Sequence, residues 1–157
     1  MEDDHLVRRL REFNLELDTT NFDVLDFVAA LGSPLDALMY SRLFWPEFVE
    51  IEGMVFLKES MEDEDDRRRL ADALERYGGD RTRTEQSFNL VEVPSDLFTM
   101  RKGDTTEEED RWLARRLAQV WLACLRYGYP DRDFVMEVLD PEETGGEVGV
   151  IFYQRRP

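Results

Sequence analysis

The amino-acid sequence predicts an α+β fold: about five or six helices packed with an antiparallel sheet of about four strands, built from two hairpins near residues 48–57 and 133–154. Three observations carry this. Apolar residues recur at helical spacing over most of the chain but switch to short, β-rich runs in those two segments. Ten Phe, five Tyr and three Trp, within 42% hydrophobic residues, supply the core that disordered chains lack. The 157 residues suit one domain, and no repeat, low-complexity tract or long linker divides the span 1–157.

Leu6, Leu10 and Phe13 fall at helical spacing behind Asp3 and Asp4, which predicts a first helix over 4–14. After a polar break, Asn21 can cap a helix whose buried face is Val24, Leu25, Phe27, Val28 and Leu31, ended by Gly32. Ser33-Pro34 restarts the helix at once, with Leu35, Leu38, Met39 and Leu43 as its expected inner face. Trp45-Pro46 stops it, because the residue before proline is pushed out of the helical region. Phe48–Ile51 and Met54–Leu57 flank Glu52-Gly53 and read as a hairpin, although Asn-Gly would be the stronger turn.

The acids of 62–66 then open a helix with Leu70, Ala73, Leu74 and Tyr77 on its inner side, stopped by Gly78-Gly79. Residues 80–93 fit two readings, a helix capped by Thr82 with Glu85 or a strand near 89–93. A loop over 94–104 tucks in Leu97 and Phe98. Thr106 with Glu109 forms a capping box for the strongest helix, whose wide stripe runs from Trp112 through Trp121 to Leu125 and ends at Gly128. The last hairpin alternates over Phe134–Leu139 and Val148–Tyr153 with apolar residues on both faces, which places it centrally or covers it on each side.

Net charge is −16, from 36 acidic and 20 basic residues. Such a field repels phosphate backbones and anionic membrane surfaces, so neither nucleic acid nor membrane is expected as a partner. It attracts a basic protein and speeds that encounter. The acidic N-terminus is unlike a secretory signal, and no apolar run reaches the ~20 residues of a membrane span, so a cytoplasmic location is expected.

Catalytic equipment is sparse. His5 is the one histidine and lies near an end, away from any obvious nucleophile. Cys124, the one cysteine, sits on an apolar stripe where thiols are inert, and it excludes an internal disulfide or a cysteine-based metal cluster. The chain contains no phosphate-binding glycine motif. The acid runs 62–66 and 107–110 lack the alternating ligand spacing of a calcium loop and are explained by helix dipoles, so no metal or other cofactor is assigned.

The expected function is therefore that of a non-enzymatic protein-binding domain, an inhibitor, adaptor or immunity-type protein acting through an acidic surface on a basic protein partner. The candidate contacts are Tyr40 and Arg42, in the aromatic segment 40–48, together with Glu62, Asp63, Asp65 and Asp66. Phe44 and Trp45 are expected to pack the corner between helix and sheet. Two alternatives stand beside this. One is a structural or homo-oligomeric subunit pairing along an exposed edge at Val148–Tyr153. The other is a carboxylate-based enzyme, with or without a divalent metal.

Overall fold

The computed structural model describes residues 3–101 and 103–156. They form an α+β structure whose chain divides into two compact units, residues 1–43 and residues 44–157.

The first unit is helical. Helix α1 (Asp3–Phe13) has Asp3 and Asp4 in its first turn and Arg11 in its last, each matched to the helix dipole. Arg11 then clamps the following loop, donating from Nε to the Thr19 carbonyl at 3.1 Å and from Nη2 to the Thr20 and Phe22 carbonyls at 3.2 Å. Helix α2 (Val24–Leu31) is capped by Asp23 rather than Asn21. The Asp23 carboxylate accepts from the Asp26 N–H, and Asp26 answers by accepting from the Asp23 N–H, both at 3.0 Å. Helix α3 (Pro34–Phe44) starts as expected, with Ser33 and Asp36 exchanging the same pair of bonds.

Phe27 is the one buried residue of α2, in edge contact with Phe22 at 5.3 Å, and α3 buries none. This departs from the expected inner faces. Leu25, Val28, Leu31, Leu35, Leu38 and Met39 keep their helical spacing but lie exposed. Periodicity reports that a face exists and not what covers it.

The second unit contains both hairpins, but in separate sheets. Strands β1 (Phe48–Ile51) and β2 (Met54–Leu57) pair antiparallel, Ile51 opposite Met54, around the two-residue turn Glu52-Gly53. Both turn residues have positive φ, +53° and +76°. A three-stranded sheet has the order β3-β5-β4, made of β3 (Leu90–Glu92), β4 (Phe134–Leu139) and β5 (Gly149–Gln154). Residues 80–93 satisfy both expected readings in turn: helix α5 (Arg81–Phe88) is followed directly by β3. Asp80, not Thr82, caps α5, accepting from the Arg83 N–H at 2.9 Å. Strand β5 is central, so the segment Val148–Tyr153 offers no open edge for pairing with a copy; β3 and β4 flank it.

Helix α4 (Glu64–Arg76) seals the first hairpin, Leu70 joining Met54, Phe56 and Met61 in one buried cluster. Helix α6 (Glu107–Gly128) lies on the larger sheet and buries Ala114, Leu117, Ala118, Trp121 and Leu125, with Trp121 edge-on to Phe152 at 6.5 Å. Val150, Phe152 and Gln154 share the covered face of β5. Ile151 and Tyr153 point the other way and stay half-buried, so the apolar residues on both faces are not equally covered. A short helix, α7 (Pro141–Thr144), fills the β4–β5 connection.

What joins the two sheets is a buried polar network that α5 organises. Glu85 is fully buried. Its carboxylate accepts from the Val55 N–H and the Gln154 N–H, both at 2.8 Å, and from the Gln154 side-chain amide. Arg156 closes it with a bidentate pair, Nη1 at 2.7 Å and Nη2 at 3.0 Å. One turn on, Asn89 donates Nδ2 to the Val55 carbonyl at 2.8 Å. Glu85 on α5 and Asn89 at its C-cap, four positions apart, thus satisfy both polar groups of Val55, standing in for a neighbouring strand. Arg156, Gln154 and Arg132 all donate to the Gly53 carbonyl, fixing the hairpin turn from behind.

Candidate functional site

The six residues expected to meet a partner fall into two separate places. Tyr40 and Arg42 lie exposed on α3 in the first unit. Glu62, Asp63, Asp65 and Asp66 lead into α4 in the second. There, Asp63 is the N-cap and exchanges bonds with Asp66 in a capping box. Asp65 and Asp66 also pair with Arg68 at 3.0 Å and Arg69 at 3.1 Å. This run is engaged in starting its helix and is locally compensated.

The second acid run has the same character. Thr106 and Glu109 form the expected capping box of α6. Glu107 and Asp140 both accept from Arg111, at 2.7 Å each. Asp110 is the exception: loss of hydration pushes its carboxyl above the ordinary value, Glu147, Glu109 and Glu107 add to this, and the Thr105 hydroxyl partly opposes it. Among the described residues, no group of three or more His, Cys, Asp or Glu is placed to hold a metal ion. His5 Nδ1 accepts from Arg8 Nη2 at 2.8 Å on α1, and Cys124 is a buried free thiol whose ionisation burial makes harder.

Two features stand out that the expected list lacked. The first is in the helical unit. Leu25, Val28 and Leu31 form one stripe on α2, and Leu35, Leu38 and Met39 form another on α3, with Leu25 76% and Leu35 75% exposed. Beside Leu25 opens a cavity of about 450 Å³ whose lining carries Asp3, Asp4 and Asp23 together with Arg11. From Glu12 to Ser41 the sequence contains no basic residue, while Glu12, Glu16, Asp18, Asp23, Asp26 and Asp36 are acidic. The apolar stripes thus lie in a mostly acidic stretch, with Arg11 as a counter-charge in the cavity lining beside Leu25.

The second is in the larger unit, where Trp45 does not pack the corner as expected but stands 55% exposed. The buried Pro46 and the half-buried Phe48 take that packing position, and Phe48 is held edge-on by Phe152 at 5.5 Å. Trp45 instead faces Tyr127, at 6.3 Å between ring centres, across a cavity of about 270 Å³ at the end of α6.

Sequence could have flagged the first feature through its charge, because a basic-free stretch of this length is visible without coordinates. Nothing in sequence places Trp45 against Tyr127, 82 positions apart by their numbers. Comparison with protein-family models, curated proteins and solved structures finds no match to this chain. No described helix is long and apolar enough to cross a membrane.

Proposed function

We propose that the chain is a protein-binding domain, of the inhibitor or adaptor kind, that seats an apolar, positively rimmed surface of a basic protein on the α2–α3 stripes. The observation that carries this reading is the set of six large apolar side chains left exposed at helical spacing inside the basic-free segment. Monomeric proteins seldom leave apolar patches beyond a few hundred Å² uncovered, and such patches with polar rims mark interaction sites. Charge selects the partner. Asp23, Asp26 and Asp36 flank the stripes, so a second copy would bring like charges together, whereas lysines and arginines would complement them.

The test uses two labelled amphipathic helical peptides of equal length, one of leucine and lysine and one of leucine and glutamate, with polylysine as a charge-only control. Fluorescence anisotropy with the full chain should show binding of the leucine–lysine helix alone. The double variant Leu35→Ser/Leu38→Ser should weaken it at least tenfold with Tm unchanged. Equal binding of polylysine, or full binding by the double variant, would remove this reading. A sharp fall in Tm in the variant would also count against it, because the chain itself would then be covering these side chains.

A further inference from the structure

We propose that the aromatic pocket at the C-terminal end of α6 receives a cationic side-chain head, an arginine guanidinium or lysine ammonium, presented by that basic partner. This rests on the protein-binding reading above and assigns the larger unit a contact of its own.

The pocket is built by Trp45, Pro46 and Phe48 on one side and by Cys124, Tyr127 and Tyr129 on the other. Its inner walls are fixed in place. Phe48 is locked against Phe152, and Tyr129 meets Phe134 edge-on at 6.0 Å. Its outer walls are Trp45 and Tyr127, and Tyr127 is 81% exposed. At about 270 Å³ the space lies below the roughly 300–1,000 Å³ of drug-sized sites, which suits one side-chain head better than a whole small molecule.

Three features make a cation the fitting occupant. Aromatic faces attract cations through their quadrupole, and Trp does so most strongly. The pocket closes on the C-terminal end of a 22-residue helix, where the macrodipole is negative and the last turn carries one basic residue, Arg126. The Tyr129 N–H satisfies the Leu125 carbonyl at 2.8 Å, and the carbonyls beyond it have no intrahelical donor.

The same wall already holds one such contact. Arg132 lies 5.2 Å over the Tyr129 ring while pairing with Glu50 at 2.6 Å. An aromatic face thus holds a guanidinium here with help from a carboxylate, and Trp45 with Tyr127 offers aromatic faces outward with the helix end in place of the carboxylate.

The indole Nε1–H signals of the full chain report the test, with Trp45→Phe assigning Trp45. The probes are N-acetyl-arginine amide, Nα-acetyl-lysine amide and the neutral N-acetyl-norleucine amide, at matched ionic strength. The Trp45 signal should move saturably in the millimolar range with both cationic amides and not with norleucine. Tyr127→Leu, at an exposed position, should weaken that response about two- to fivefold. An equal response to norleucine would make the pocket merely apolar and overturn the proposal. So would a Trp45 signal unmoved by either cation, or one unaffected by Tyr127→Leu. No peptide or α2–α3 variant enters this experiment, so its failure and the failure of the α2–α3 reading are separable.

Discussion

Replacing Glu85 with alanine takes the acceptor away from five donors at once: the Val55 and Gln154 N–H groups, the Gln154 amide and both terminal nitrogens of Arg156. Removing one partner of a buried ion pair costs about 3–5 kcal/mol, because the remaining charge is left in a poorly solvated place. Two orphaned backbone N–H groups would each add about 1–3 kcal/mol if no water reached them. These terms overlap, since the vacated side-chain volume admits water to both, so about 3–5 kcal/mol is the expected total. For a chain near 150 residues each kcal/mol moves Tm by roughly 2–4 °C, which predicts a fall of about 6–20 °C. Calorimetry and urea unfolding followed by far-ultraviolet circular dichroism measure this. Glu85→Gln keeps the volume but turns one acceptor into a donor facing Arg156, and serves if the alanine variant does not fold. Arg156→Met, alone and combined, completes a double-mutant cycle. A loss below about 1 kcal/mol for Glu85→Ala, or additivity of the two sites within about 0.5 kcal/mol, would refute the claim that this network joins the sheets.

Other outcomes follow from single positions. Glu52 occupies a left-handed conformation with its side chain exposed, so Glu52→Asn should raise stability by about 0.5–1 kcal/mol, read as a higher urea midpoint at unchanged slope. Asp110 has its carboxyl raised by dehydration, so its protonated form favours folding and that contribution is lost as pH rises through the raised value. Asp110→Asn should therefore raise the urea midpoint at pH 7, with the gain shrinking as pH falls into the ordinary carboxylate range; a gain independent of pH would contradict this. Cys124, buried and with ionisation disfavoured, should react with Ellman's reagent at least about tenfold more slowly in the native chain than in urea, and equal rates would show the thiol to be open.

The elements with a local cause were legible in the sequence. Thr106 with Glu109, Ser33-Pro34 with Asp36, and the acids before α4 each fix a helix start through contacts within four residues, and all three starts stand where they were expected. The Glu52-Gly53 hairpin was equally local. Two caps missed by two residues, Asp23 for Asn21 and Asp80 for Thr82, and the larger departures depended on distant partners. Glu85 read as the third residue of a capping box because its real partners, Val55, Gln154 and Arg156, lie 30 to 71 positions away. The division into two sheets was hidden for the same reason, since the network between them is made of side chains rather than of a strand pattern. Trp45 looked like core because composition ranks tryptophan as apolar, and only Pro46 and Phe48 taking the corner leaves it outside.

The acidity itself has to be divided before it can argue for function. In the larger unit several acids have clear structural work, since Asp63 and Asp66 cap α4, Glu109 caps α6, Glu107 and Asp140 hold Arg111, and Glu85 holds Arg156, although 27 acidic against 16 basic residues leave that unit negative as well. Asp23, Asp26 and Asp36 also cap helices, and no cation lies between Arg11 and Arg42 in the sequence, which leaves Arg11, in the cavity lining with Asp23, as a counter-charge to three acids. A helix N-terminus offsets about half a charge and only over its first turn, so a net negative field persists along the α2–α3 stripes. That field is screened beyond about 10 Å at 0.1 M salt, while burial of leucine is not weakened by salt. Binding of the leucine–lysine helix should accordingly weaken with added salt through a slower association rate, and its dissociation rate should stay nearly constant. A salt effect confined to dissociation would place the contact at the charges rather than at the leucines.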